Sequence, residues 1–276
     1  MSIRPINQLV ERFALGETSV FDAIVEDDRD YFRAASHQMV VEGWRVLLPG
    51  RSLPPSNTCL VEPAPGQSQC PVQVAAFCQD HGFETIRFYL PGPADTHQSW
   101  PALFQRAEEV AMCGGLSQLR FTGPANGLTV RTAGPGDDRF KMRWLETDAN
   151  RPDGKAMAAH DYIATDNAKA DDGYMENYLI LEGDMPIGSF GISLGQPDLV
   201  RMKNLLLAKE YRGRGFGSAA ISFAARQAQS LSRPWIGAFA LSPGPALSLY
   251  ESHGMKAVGI QTEMIAPLAN VAKGGS

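Results

Sequence analysis

The run Asn204-Leu205-Leu206-Leu207-Ala208-Lys209-Glu210-Tyr211-Arg212-Gly213-Arg214-Gly215-Phe216-Gly217-Ser218-Ala219-Ala220-Ile221 joins two apolar segments through a glycine-rich turn. Its first five residues read as a buried strand, and Ser218 to Ala225 read as a helix. A strand, a glycine turn and a helix start make an anion site. The first turn of a helix presents unpaired N–H groups at the positive end of its dipole. Glycine lets the backbone approach a pyrophosphate without a Cβ in the way. The ligand this pattern implies is a phosphate-bearing cofactor. A Walker loop requires Gly-Lys-Ser/Thr, whereas Phe216 and Gly217 follow Gly215 here. The dinucleotide fingerprint requires G-x-G-x-x-G, whereas these glycines fall at 213, 215 and 217. The pattern that fits is Arg-x-x-Gly-x-Gly, carried by Arg212, Gly215 and Gly217. An RNA-binding Arg-Gly-Gly reading is weak, because there is one copy and it lies between apolar segments.

Downstream, Trp235 to Leu241 reads as a short buried strand broken by Pro243-Gly244-Pro245. Ala246 to Ser252 reads as a helix that ends at His253-Gly254, where glycine suits a left-handed cap. Met255 to Met264 reads as a strand. With LLLAKEYRGRGFGSAAI at 205–221 and PALSLYESHGMKAVG at 245–259, the chain resembles the GCN5-related N-acetyltransferase (GNAT) family over residues 128–266. The resemblance implies an α/β fold: a mixed, mostly antiparallel central sheet flanked by helices. It implies acetyl-CoA as the cofactor and acetyl transfer to a primary amine of a small molecule or peptide. It assigns the phosphates to Arg212, Gly213, Arg214, Gly215, Phe216, Gly217 and Ser218. It assigns the pantetheine arm to the backbone of Leu205, Leu206 and Leu207, and protonation of the departing thiolate to Tyr250. A phenol titrates near a thiol, so it can donate a proton at neutral pH. The strand Leu199–Leu207 lacks the glutamate that some members use as base. Glu176, Glu182, Asp161, His160 or a water chain are the alternatives. Pro243 stands near where many members have a cofactor-contacting asparagine, with Ser242 as a substitute. Two other classes stay open: a CoA-binding sensor without catalysis, and a protein-interaction module.

The chain has 276 residues, 44% hydrophobic and 20% charged, enough for two packed domains. A net charge of −5 argues against a nucleic-acid partner. Basic residues gather near the proposed phosphate site: Arg201, Lys203, Lys209, Arg212 and Arg214. The N-terminus lacks the apolar core of a signal peptide, and no run of about 18 apolar residues exists, so no membrane association is expected. Cys59, Cys70, Cys78 and Cys113 form no C-x-x-C pair and read as reduced thiols of a cytoplasmic protein. No metal site is expected, and the protein reads as a monomer or homodimer.

Residues 1–122 read as an N-terminal α/β accessory domain, 123–127 as a linker, 128–266 as the GNAT domain and 267–276 as a flexible tail. Residues 1–50 look largely helical, with a strand starting at Trp44. Pro71 to Asp80 reads as a helix, Phe83 to Leu90 as a strand, Pro101 to Cys113 as a helix and Leu119 to Phe121 as a short strand. Leu128 to Ala133 opens the second domain as a strand, followed by a helix from Asp138 to Leu145. For residues 146–176 the resemblance implies an acceptor wall, and the alternative is a solvated loop. A hairpin is expected from Tyr178–Leu181 and Ile187–Leu194. Residues 72–90 and 246–264 share an order of helix, His-Gly and strand. The N-terminal half is therefore either a degenerate copy of the same fold or an unrelated accessory domain.

Overall fold

The structure, a computed structural model, describes residues 14–15, 18–54, 56–64, 67, 70–97, 104–120, 128–147 and 158–271. In chain order, two short strands, β1 (Ala14–Leu15) and β2 (Thr18–Ser19), precede helix α1 (Val20–Arg33). Then come β3 (Ser36–Val41), β4 (Trp44–Pro49), β5 (Thr58–Glu62), α2 (Val72–Asp80), β6 (Thr85–Pro91) and β7 (Gln105–Gly115). The second half runs β8 (Leu128–Thr132), α3 (Asp138–Thr147), α4 (Ala159–Asp171), β9 (Met175–Glu182), β10 (Met185–Ser193) and β11 (Leu199–Leu207). It closes with α5 (Gly217–Ser230), β12 (Trp235–Ser242), α6 (Pro245–Ser252), β13 (Lys256–Pro267) and α7 (Leu268–Val271).

The chain forms two compact units that are interleaved in sequence: Met1–Tyr31 with Val110–Gly259, and Phe32–Glu109 with Ile260–Ser276. In the first unit β8, β9, β10 and β11 are antiparallel neighbours, and β12 lies parallel to β11. A parallel neighbour needs a crossover, which α5 supplies. The end of β7 and the start of β13 continue this sheet beyond β12. Side chains alternate between faces along each strand. Tyr178 and Ile180 of β9 therefore join the core under α5, whereas Leu179 and Leu181 pack with Trp144, Leu145 and Ile163 of α3 and α4. Val20, Ala23 and Ile24 of α1 pack with Ala111, Cys113, Leu199 and Val258.

The second unit repeats the plan. Strands β3, β4 and β5 are antiparallel, and β6 lies parallel to β5 with α2 as the crossover. β13 then pairs antiparallel with β6 from Gln261↔Pro91 to Pro267↔Thr85. Its core gathers Trp44, Val46, Val61, Ile86 and Phe88 with Met264, Leu268 and Val271. The N-terminal half is thus a second copy of the fold. By topology α2 corresponds to α5, the crossover helix, and not to α6 as the His-Gly echo aligns it.

Several expectations are corrected. Gln105–Gly115 is a strand where a helix was expected to span Pro101 to Cys113. Val110 to Cys113 are all buried, as in a strand covered on both faces, and such a continuous apolar run carries no period-2 signal. Residues 36–41 and 44–49 are strands, so the helical pattern of the first 50 residues holds for 20–33. Leu119 and Arg120 form no strand; Phe121 and the proposed linker 123–127 lie outside the described residues. The tail expected from 267 onward contains α7, whose Leu268 is fully buried in the second core. The compact units also differ from consecutive halves divided at 123–127, because each takes a segment from the other half. Among the described residues no helix is long and apolar enough to cross a membrane.

A fragment of residues 124–276 lacks α1 and β7. It loses the apolar partners of Leu199 and Val258 and the carboxylates that neutralise Arg201 and Lys203. Stranding buried charge costs about 3–5 kcal/mol per broken pair. Circular dichroism and limited proteolysis should therefore show this fragment without stable tertiary structure, while residues 14–276 give a protected core.

Candidate functional site

Strand β11 is irregular at its centre. Gly191 faces Lys203 and Ser189 faces Leu206, so Asn204 and Leu205 share the place opposite Phe190. The extra residue is a bulge, and Asn204 sits in the left-handed region with φ 53°, a conformation asparagine tolerates. Its side-chain amide donates to Asp166 Oδ1 at 2.8 Å and fixes the bulge from the α4 side. The pairing of β11 with β12 runs from Leu199↔Trp235 to Met202↔Ala238 and stops there. Among the described residues, Asn204 to Leu207 have no ladder partner on the β12 side. Leu205, Leu206 and Leu207 lie in this open stretch. Leu205 and Leu207 pack toward α5, and Leu206 packs toward α3 and α4.

The turn before α5 lies just beyond that opening. Gly213 and Gly215 have φ of 73° and 79°, so glycine is required there by backbone conformation. A Cβ on either would meet nothing within 4 Å, so both face open space. Gly217 has a different reason: a Cβ there would lie 2.7 Å from Leu249 Cδ2 of α6. Phe216 is buried in the core below and anchors the turn. Arg212 N donates to Lys209 O at 3.3 Å and Ser218 N to Gly215 O at 3.1 Å. Between them, the N–H groups of Gly213, Arg214, Gly215, Phe216 and Gly217 make no hydrogen bond among the described residues. The arginine side chains brace the turn. Arg212 Nε donates to Leu207 O at 3.0 Å. Arg214 stacks 4.6 Å from the Phe216 ring centroid and reaches Glu182 at 3.4 Å, an exposed pair of little energetic weight.

Tyr250 of α6 is buried in the same core as Phe216, Met202 and Ala238. Burial pushes its phenol up to about 12, with the Arg201 guanidinium pulling the other way, so it is a protonated donor at neutral pH.

The other face of β11 carries a buried ionic network. Arg201 pairs with Asp27 at 3.2 Å and with Asp28, and Lys203 pairs with Asp28 at 2.7 Å. Ser193 Oγ donates to Asp27 Oδ2 at 2.6 Å. Lys203 and Lys169 lie 3.5 and 4.2 Å from the centroid of the Tyr31 ring, and the Tyr31 hydroxyl donates to Asp166 at 3.1 Å. Lys169 Nζ also donates to the Tyr31 carbonyl. The expectation that Arg201 and Lys203 join the phosphate-side basic cluster is therefore corrected: both point into this network.

The candidate bases are dispersed. Glu176 accepts from the Tyr178 hydroxyl, Glu182 pairs with Arg214, and Asp161 holds His160 at 2.8 Å at the start of α4. Ser242 precedes a cis bond to Pro243. Among the described residues no cluster of His, Cys, Asp and Glu could hold a metal ion.

The sequence pattern of the acetyltransferase (GNAT) family matches residues 140–255, which contain β11, the glycine turn, α5 and α6. This region is a GNAT domain. Solved structures extend the likeness to the fold of both halves. A GCN5-related N-acetyltransferase from Kribbella flavida is 13% identical, with a TM-score of 0.58 over 92% of this chain and 97% of that one. A tandem GNAT protein from the clavulanic acid biosynthesis pathway is 10% identical, with a TM-score of 0.56 over 93% and 97%. A functionally unknown conserved protein from Staphylococcus epidermidis is 12% identical, with a TM-score of 0.60 over 85% and 95%. A search of curated protein sequences returns no match.

Sequence reasoning about the GNAT domain missed Asp27, Asp28 and Tyr31, because they lie more than 100 residues upstream on α1. The available signal was Arg201 and Lys203 standing at alternate positions inside an apolar strand, where unpaired charge is not tolerated.

Burial, with Lys203 adding repulsion, lowers the Lys169 ammonium to about 7, against the attraction of Asp166, Asp28 and Asp172. Burial likewise lowers Lys203 to about 8. The unfolded chain binds more protons than the folded one between these values and the ordinary lysine value of 10.5. Stability should therefore rise with pH from about 7 to about 9, where the buried thiols, raised by burial, begin to oppose it. Urea midpoints measured across that range should show the rise, and Lys169→Met should flatten it.

Proposed function

We propose that this protein binds acetyl-CoA in its GNAT domain and moves the acetyl group to a primary amine of a small molecule or peptide by direct transfer. The observation that carries the reading is the opening between β11 and β12 beside the unbonded amides that precede α5. An unpaired strand edge is a ladder waiting for an amide-bearing partner, and the pantetheine arm supplies amides. The backbone of Leu205, Leu206 and Leu207 pairs with that arm. The N–H groups of Gly213 to Gly217 take the pyrophosphate at the positive end of α5. Arg212 and Arg214 add positive charge at the rim, while Phe216 and Ser218 hold the turn on the helix.

Acetyl-CoA supplies an acetyl group activated as a thioester. A backbone N–H at the bulge donates to the carbonyl oxygen and stabilises the negative charge that grows when the amine nitrogen attacks. Tyr250 gives its proton to the sulfur as the C–S bond breaks. The proton lost by the amine passes to water.

A second reading is a CoA-binding protein without turnover. It is favoured by the inward positions of β11, which hold paired Arg201 and Lys203 and no carboxylate.

The binding half is tested by Gly215→Asp beside Gly215→Asn. Both residues tolerate a left-handed backbone and fill the same open space; only aspartate adds charge facing the phosphates. Calorimetry should show acetyl-CoA affinity at least tenfold weaker in the aspartate variant, about 1.4 kcal/mol. Equal affinities in two folded variants would remove the assignment. Gly217 is unsuited to this test because of Leu249.

Turnover is tested by Tyr250→Phe. The ring that fills the core remains, so fold and acetyl-CoA affinity should hold. Thiol release with the best amine acceptor should fall roughly 100-fold in kcat. Unchanged kcat would return Tyr250 to packing alone, and no release with any amine would favour the second reading.

A further inference from the structure

The second unit contains a thiol pair that the acetyl-transfer reading does not use. Cys59 on β5 and Cys78 on α2 are both fully buried, and their sulfurs lie 3.2 Å apart. A disulfide bond is about 2.0 Å long, so closing it requires the sulfurs to approach by roughly 1 Å. Around them the core is apolar: Val61, Val74, Ala75 and Phe83 belong to the same cluster. Among the described residues, no group of His, Cys, Asp and Glu could hold a metal ion at the two sulfurs. Cys70, in the segment before α2, is the half-buried third thiol of this unit, and burial pushes it up to about 12. Cys113 belongs to the other unit.

We propose that Cys59 and Cys78 form a reversible disulfide through exchange with a small-molecule disulfide. The step balances as two protein thiols and one external disulfide giving one protein disulfide and two external thiols. The Cys78 thiolate attacks the external disulfide and releases one thiol. Cys59 then attacks the Cys78 sulfur of the mixed disulfide and displaces the second external thiol. The product pins the crossover helix α2 to β5. In this unit they are the counterparts of α5 and β11, the elements that flank the cofactor turn in the other. A cross-link of residues 59 and 78 restricts the unfolded chain and so raises stability. In a reducing compartment the pair rests as thiols.

The test uses the full-length protein incubated with oxidised glutathione, alkylated, digested without reductant and read by mass spectrometry. The expected product is a Cys59–Cys78 linked peptide pair that has lost two hydrogens and is restored by dithiothreitol. Its formation should raise the melting temperature by several degrees, and Cys70→Ser should still form it. Folded wild-type protein in which Cys59 and Cys78 stay unlinked would overturn the proposal. Acetyl-CoA affinity, measured on the same samples, reports separately on the cofactor site.

Discussion

The strand that carries the bulge, β11, is held by charges it cannot neutralise itself. Arg201 and Lys203 point inward from β11, and a guanidinium and an ammonium buried alone would each cost several kcal/mol. Asp27 and Asp28 on α1 supply the neutralising carboxylates, although more than 100 residues separate them from the strand. The N-terminal helix, up to Tyr31, therefore belongs to the same compact unit as β11. Asn204, tied to Asp166 and lying within reach of the Tyr31 hydroxyl, stands where this network meets the bulge. The departure of β11 from β12 begins just after Lys203, a residue fixed by an ion pair, so the opening has a rigid floor.

The glycine turn shows how three residues of one type answer three demands. Gly213 and Gly215 are there for backbone angle, and Gly217 is there for a neighbour. Sequence reading groups them as one phosphate cradle, because all three fall in the same motif. Only coordinates separate a glycine that faces open space from one that accommodates Leu249.

The local signals were readable along the chain. The strand–turn–helix at 204–225, the hairpin around Gly183 and the His-Gly stops at 81–82 and 253–254 all depend on residues close in sequence. What could not be read depends on distance. Strand β7 is buried on both faces and shows no alternation. The partners of Arg201 lie on α1, and the extent of each unit is set by strands that arrive from the other half. The His-Gly echo pointed correctly to a repeated fold yet matched the wrong pair of helices, because strand direction is invisible in a one-dimensional pattern.

The placement of residues 260–271 also bears on how the protein is made. The core built on β4, β5 and β6 includes Met264, Leu268 and Val271, near the end of the chain. On the ribosome, Trp44, Ile86 and Phe88 emerge early, but their burial is completed only after Val271 has emerged, more than 180 residues later than Phe88. The first-made half must therefore wait with apolar surface uncovered, the kind of interval in which chaperones bind. Repetition of the fold here leaves the copy that is synthesised first waiting for a strand that follows the second copy.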